Sequence, residues 1–341
     1  MTNVGIAGIG LYLPEKTMSA KEIAEETKGR WTEEAVREKL GINQIYLAGE
    51  GEGTQEMGAL AALDLIENTG VDPKDIDVIL CFGEEWKEYP LTTSAIYIQD
   101  RIGAENAWGI DVQNRCCTTV TALKMAKDML VADEAIDTIL IAGGYRNGDL
   151  IDYSDPMNSM MYNLSAGGGA LLLKKNHDEN LLLGSHIISD GSLARTAGVE
   201  VGGIENPYTA ENVEHSKRTL KLLEPVKMKE RLNDVSMINW MKCIDHALEK
   251  SEMTREDIDY LDVLHMKRSG HRAILEDLDL TPEQTVYLED YGHLGQIDQI
   301  LSLKAGLEQG KIREGTVVCS IAAGIGYVWA ADIIKWGKAD G

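Results

Sequence analysis

The chain has 341 residues, with 33 Lys and Arg against 56 Asp and Glu, for a formal charge of −23. That charge repels phosphate backbones and anionic lipid, which argues against nucleic-acid and membrane-surface partners, and no apolar run approaches the roughly 20 residues of a membrane helix. With 44% hydrophobic and 26% charged residues, the composition is that of a folded globule of one large or two ordinary domains.

Val4-Gly5-Ile6-Ala7-Gly8-Ile9-Gly10 reads as a first strand running into a glycine turn, with no basic region or long apolar core ahead of it to suggest a targeting segment. Ala59–Ile66 carries a helical pattern and Asp75–Cys81 a buried strand. Glu84 and Glu85 follow that strand, where a partly desolvated carboxylate can work as an acid or base; in so acidic a chain, a solvated loop is the commoner reading. The stretch Asp111–Thr119 is a strand-to-helix loop holding Cys116 and Cys117. A helix at Ala122–Lys127 and a strand at Thr138–Gly144 come next. The run Ala166-Gly167-Gly168-Gly169-Ala170 precedes a strand, and no Lys-Ser/Thr follows, so it marks close backbone packing and not a phosphate loop. Lys217, Arg218, Lys221, Lys227, Lys229 and Arg231 form a solvated helix face and the most obvious local landing place for an anion.

The chain then repeats itself. A helix at Trp240–Leu248 leads to a strand at Asp257–His265, and a helix at Ile300–Gly306 leads to a strand at Thr316–Gly324. The two Asp-Ile-Asp triplets, starting at 75 and 257, lie 182 residues apart, and the helices starting at 122 and 300 lie 178 apart. The expectation is an α/β body of two duplicated halves, 1–175 and 176–341, with a mostly parallel sheet covered on both faces. Ligands in such sheets bind at the carboxyl ends of strands. Duplication therefore brings the Cys116 loop towards His265 and towards His293, in the loop Gly292-His293-Leu294-Gly295.

Near a helix start the dipole favours a thiolate at Cys116, although a free cysteine is more often an inert core residue; Cys117 is the rival in the same loop. His265 ends a strand and precedes Lys267, Arg268, His271 and Arg272. A neutral imidazole there can donate to a carbonyl or take a proton, while a lone strand-end histidine is more often structural. His177, His186, His215 and His246 read as structural or surface residues. Five cysteines (81, 116, 117, 243, 319), two of them adjacent, do not make a disulfide framework or a zinc site, and a reducing cytoplasm is the expected compartment.

Taken in order, Gly8-Ile9-Gly10-Leu11-Tyr12-Leu13-Pro14, Lys39-Leu40-Gly41-Ile42, Asp111 five residues before Cys116, His265 and the end Ala323–Ala330 resemble the thiolase superfamily, and most closely its ketoacyl-acyl carrier protein synthase III group. The resemblance implies a five-layered αβαβα fold, a homodimer, and a Cys-His-Asn site that condenses acyl thioesters by Claisen chemistry. Cys116 matches the acylated nucleophile and His265 the catalytic histidine, while the family's Asn position is taken by His293, as in the elongating ketoacyl synthases. Substrates would be an acyl-CoA and a malonyl or acyl thioester on coenzyme A or acyl carrier protein, with no further cofactor and no metal. The tunnel mouth would be lined by Trp31, Lys267, Arg268 and Arg272. Phe82-Gly83-Glu84-Glu85 resembles hydroxymethylglutaryl-CoA synthase, with Glu85 on its acid/base, which leaves an aldol-type condensation as the alternative. A non-catalytic subunit of a synthase heterodimer is the reading of another class.

Overall fold

The computed structural model describes residues 2–83, 87–213 and 219–338. Nine strands form one sheet: β1 (Val4–Tyr12), β2 (Val78–Phe82), β3 (Trp108–Val112), β4 (Thr138–Tyr145), β5 (Gly167–Lys175), β6 (Glu179–Ser189), β7 (Tyr260–Val263), β8 (Val317–Gly324) and β9 (Val328–Lys338). Their order across the sheet is β7-β8-β9-β6-β1-β5-β4-β2-β3. The series β2, β4, β5, β1 pairs parallel, antiparallel, antiparallel, and β7, β8, β9, β6 repeats that pattern. The two series meet at Gly5 and Leu181. β5 ends at Lys175 and β6 begins at Glu179.

The sheet is mixed and not mostly parallel, which corrects the sequence expectation. β9 follows β8 after only three residues, and β5 is reached from β4 through short helical turns at Asn147–Leu150 and Pro156–Met161. A strand returning without a crossover helix runs antiparallel. β2, β4 and most of β5 are buried on both faces and therefore read as continuous apolar runs whichever way they point.

Six helices complete the layers: α1 (Thr54–Thr69), α2 (Ser94–Ile102), α3 (Thr118–Ala132), α4 (Pro225–Lys250), α5 (Arg268–Asp277) and α6 (Asp298–Glu308). α1 and α2 cover the outer face of the first series, and α4 and α5 that of the second. α3 and α6 lie between, and their Leu123, Ala126, Leu130, Ile300 and Leu303 share one core with Ile6, Ile141, Leu171, Val318 and Ile334 from strands of both series. The loops that enter α3 and α6 thus meet in the middle of the molecule.

The glycine run does serve close packing. A Cβ on Gly168 would sit 2.0 Å from the Met57 carbonyl oxygen of α1, and one on Gly169 would sit 2.8 Å from Ile300 Cδ1 of α6. Gly168→Ala should therefore cost about 2–3 kcal/mol, read as a fall in melting temperature. Gly191→Ala, where a Cβ would meet nothing within 4 Å, should leave the melt unchanged. Equal melts for the two variants would contradict this packing.

Candidate active site

β3 ends at Val112 and the chain enters α3 at Thr118 through a short turn, Arg115–Cys117. Arg115 has φ of 53°, an uncommon conformation for a residue with a side chain, and it sets the direction of the next residue. The adjacent cysteines then diverge. Cys117 is buried, with its sulfur 3.4 Å from the Ala322 carbonyl oxygen, and burial pushes its thiol well above the ordinary range. Cys116 is only partly buried, and its Sγ lies 3.1 Å from His293 Nε2.

His293 reaches that position because its loop enters α6 as the Cys116 loop enters α3, each through one 3-10 turn. The two turns are tied together by the Thr119 hydroxyl, which donates to the Gln296 carbonyl at 2.6 Å. Behind His293, its Nδ1 faces Oδ2 of Asp298 at 2.5 Å. Asp298 is the first residue of α6 and 0% exposed. Its Oδ1 accepts from the Leu294 N–H and its Oδ2 from the His265 N–H, both at 2.7 Å. With Asp298 accepting at Nδ1, the His293 tautomer is set and Nε2 is left to the sulfur. Burial works against charge on the His293 ring, but Asp298 and the Cys116 sulfur outweigh it and hold its pKa well above that of a free histidine.

His265 follows β7 and shares Asp298 through its backbone, but its ring is engaged elsewhere. Nε2 lies 3.0 Å from the Gly41 carbonyl oxygen, and Nδ1 lies 2.9 Å from Asn163 Nδ2. The ring therefore accepts at Nδ1 and donates from Nε2, which is a neutral imidazole. Burial drives its pKa down to about 4, against the opposing pulls of the Gly41 bond and Asp298. Asn163 also takes the His293 backbone N–H on its carbonyl, at 2.7 Å, so one residue fixes both histidines. Gly41 can have no side chain: its φ is 75°, and a Cβ would sit 1.8 Å from the Tyr287 hydroxyl.

His271 of α5 is likewise buried, and burial drives its pKa to about 4. Both groups are neutral when folded and bind protons near pH 6.5 when unfolded. The stability they leave intact above pH 6.5 is lost as pH falls from there towards 4. His271 Nε2 has no hydrogen-bond partner, so His271→Leu should narrow the loss of urea-denaturation stability between pH 7 and 4.5 by about 2–3 kcal/mol. An unchanged difference would show that His271 titrates normally.

The other expected site residues are less concentrated. Trp31 is half-buried in a small cluster with Ile23, Val36 and Leu40, edge-on to Tyr162 at 6.1 Å. Arg268 is bound to Glu289 and lies 4.5 Å over the Tyr287 ring, whereas Lys267 and Arg272 are exposed. Trp31 and the first turns of α5 flank the same segment, 36–41, that carries the Gly41 carbonyl. Glu85 lies outside the described residues, as do Lys217 and Arg218. In the rest of that basic segment, Lys221 pairs with Asp155, Lys227 with Glu224 and Arg231 with Asp190. Three of the four cations described there, with Lys229 the fourth, thus sit beside neighbouring carboxylates. A cleft of about 550 Å³ lies there, with Glu224, Glu230 and Asp234 outnumbering Lys227 and Arg231.

Sequence reasoning missed Asp298 and Asn163. For Asp298 a signal existed, a carboxylate five residues after a loop histidine at the start of a helix. Asn163 gave none, since it reaches His293 only through a single bridge between Leu164 and His293.

Residues 110–191 match the family described as 3-oxoacyl-[acyl-carrier-protein (ACP)] synthase III, and residues 248–336 match the description of its C-terminal region. A beta-ketoacyl-[acyl-carrier-protein] synthase III from Allorhizobium ampelinum is 27% identical over 337 residues, covering 97% of this chain and 98% of that protein. The crystal structure of a 3-oxoacyl-(acyl carrier protein) synthase III from Pseudomonas aeruginosa superposes with a TM-score of 0.84 at 19% identity, over 98% of this chain and 99% of that one. OleA from Xanthomonas campestris superposes at 0.82 and 16% identity, over 98% of each chain.

Proposed function

We propose, for a chain that belongs to the 3-oxoacyl-[acyl-carrier-protein] synthase III family and is a thiolase-fold condensing acyltransferase, that Cys116 carries the acyl group and His293 moves its proton. The observation that carries these roles is the 3.1 Å approach of His293 Nε2 to Cys116 Sγ. His293 takes the thiol proton and the thiolate attacks the carbonyl carbon of an acyl thioester. Backbone N–H groups at the start of α3 hold the oxyanion. The carbon–sulfur bond of the donor then breaks, and the donor thiol leaves with the proton from His293.

In the second half-reaction a malonyl thioester loses carbon dioxide, and the electron pair of the broken carbon–carbon bond passes into an enolate. The His265 Nε2–H turns from the Gly41 carbonyl to the thioester oxygen, and that hydrogen bond stabilises the enolate. Its carbon attacks the acyl-Cys116 carbonyl, and the Cys116 thiolate departs.

Coenzyme A is the favoured acyl donor. The exposed Lys267 and Arg272 offer charge for its phosphates, while the segment best suited to an acidic carrier protein is already paired with carboxylates. A homodimer forms along β3, an edge strand whose Trp108 and Ile110 are about half exposed, since such an edge invites pairing with another chain. All five cysteines are free, which suits a reducing cytoplasm. Among the described residues no helix is long and apolar enough to cross a membrane.

The test is to load the enzyme from a panel of acyl-CoAs and add malonyl-CoA or malonyl-acyl carrier protein. Carbon dioxide should appear in step with loss of the acyl adduct, and an adduct that survives both malonyl donors would contradict decarboxylative condensation. In the same assay Glu85→Ala should retain turnover within about tenfold, since this route has no proton for a general base to remove from carbon. A loss of several orders of magnitude with the adduct intact would establish the aldol-type route.

A further inference from the structure

The relay behind Cys116 contains more than a condensation needs. To stabilise an enolate a side chain has only to donate a hydrogen bond, as His265 can, and an enolate formed by decarboxylation brings its own electron pair. Yet the buried Asp298 orients His293 with Nδ1 at 2.5 Å and is itself fixed by the backbone N–H groups of His265 and Leu294. A nucleophile, an imidazole and an orienting carboxylate in this order form the arrangement that moves protons to and from oxygen and sulfur during acyl transfer.

We propose that the acyl group on Cys116 is also passed to a hydroxyl acceptor, giving an oxygen ester or, with water, the free acid, with His293 as general base and Asp298 as its positioning residue. This rests on the reading that Cys116 is acylated. During acylation His293 delivers a proton to the departing thiol, so the acyl-enzyme is left with a free Nε2 beside the acyl carbonyl. By microscopic reversibility the group that protonated the leaving thiol takes the proton of an incoming O–H along the same path. The oxygen then bonds to the carbonyl carbon, the carbon–sulfur bond breaks, and the Cys116 thiolate recovers the proton from His293. The sum is acyl-thioester plus alcohol giving ester plus thiol, with no other reactant.

The charge balance supports this direction. Cys116 is one of the charges that hold a proton on His293, together with Asp298 and against burial. Thioester formation removes that charge, so the ring gives up its proton more readily in the acyl-enzyme than in the free enzyme. His265 does not compete for the role, because its Nδ1 accepts from Asn163 and its Nε2–H is given to Gly41. A hydroxyl acceptor fits better than an amine. A neutral amine attacks a thioester unaided, whereas a hydroxyl must lose its proton as it attacks, which is where a positioned base acts.

The experiment uses the full-length protein, acylated to completion by prolonged incubation with excess acyl-CoA, freed of donor and left without any malonyl thioester. Loss of the adduct mass is followed in buffer alone and with added ethanol or glycerol, and ester products are identified by mass. Wild type should discharge about 10²–10³-fold faster than His293→Asn, which keeps a hydrogen-bond donor and removes the base. Ethyl or glyceryl ester should accumulate, and the rate should rise with pH as His293 deprotonates. Asp298→Asn should lose that pH dependence.

A wild-type acyl-enzyme as inert to water, ethanol and glycerol as His293→Asn, yet still discharged by a malonyl thioester, would overturn this inference and leave the condensing role intact. Failure to form any adduct would overturn the reading of Cys116 and this inference with it.

Discussion

Asp298→Asn should slow the labelling of Cys116 by acyl-CoA about 10²–10⁴-fold without a comparable change in the affinity for the donor. In the native site Oδ1 of Asp298 accepts from Leu294, and Oδ2 accepts from both His293 Nδ1 and the His265 backbone. An asparagine that keeps its oxygen on Leu294 turns its NH₂ towards His293. The ring then accepts at Nδ1, carries its hydrogen on Nε2 and presents a donor to the sulfur where a base is needed. The variant also sets that NH₂ against the His265 N–H, so some stability is lost, and a melt must accompany the kinetics. The diagnostic readout is the pH profile: the wild-type limb reporting His293 should disappear in Asp298→Asn. Unimpaired labelling with an unchanged profile would remove Asp298 from the relay.

The second large effect separates the two histidines. His265→Ala should leave acylation of Cys116 within about tenfold of wild type and lower condensation with a malonyl thioester about 10²–10³-fold, the scale of losing one preorganised donor to a developing oxyanion. His265 makes its contacts with Gly41, Asn163 and Asp298 and is held neutral, with burial driving its pKa to about 4. A neutral ring with its hydrogen on Nε2 suits a donor. Equal losses in both half-reactions would mean that His265 acts through the shared Asp298 and not on the second substrate.

Much of this site was legible because duplication is a linear signal. Similar offsets, 182 between the two Asp-Ile-Asp triplets and 178 between two helix starts, place Cys116 and His293 at matching loop positions, and the structure sets them 3.1 Å apart. Strand direction was not legible, since β4 and most of β5 are buried at every position and almost wholly apolar whichever way they run. The choice between Cys116 and Cys117 depended on the left-handed Arg115, which no periodicity records. The engagement of His265 with Gly41 joins residues 224 positions apart. The paired state of Lys221, Lys227 and Arg231 depends partly on Asp155 and Asp190, which lie far from them in the chain.

Whether Cys116 is the acyl-carrying nucleophile of a condensing enzyme is decided by intact-mass measurement after incubation with a panel of acyl-CoAs. A single acyl adduct is expected on wild type and on Cys117→Ala, and none on Cys116→Ala. An adduct that persists in Cys116→Ala and vanishes in Cys117→Ala, or no adduct from any donor, would be incompatible with that role.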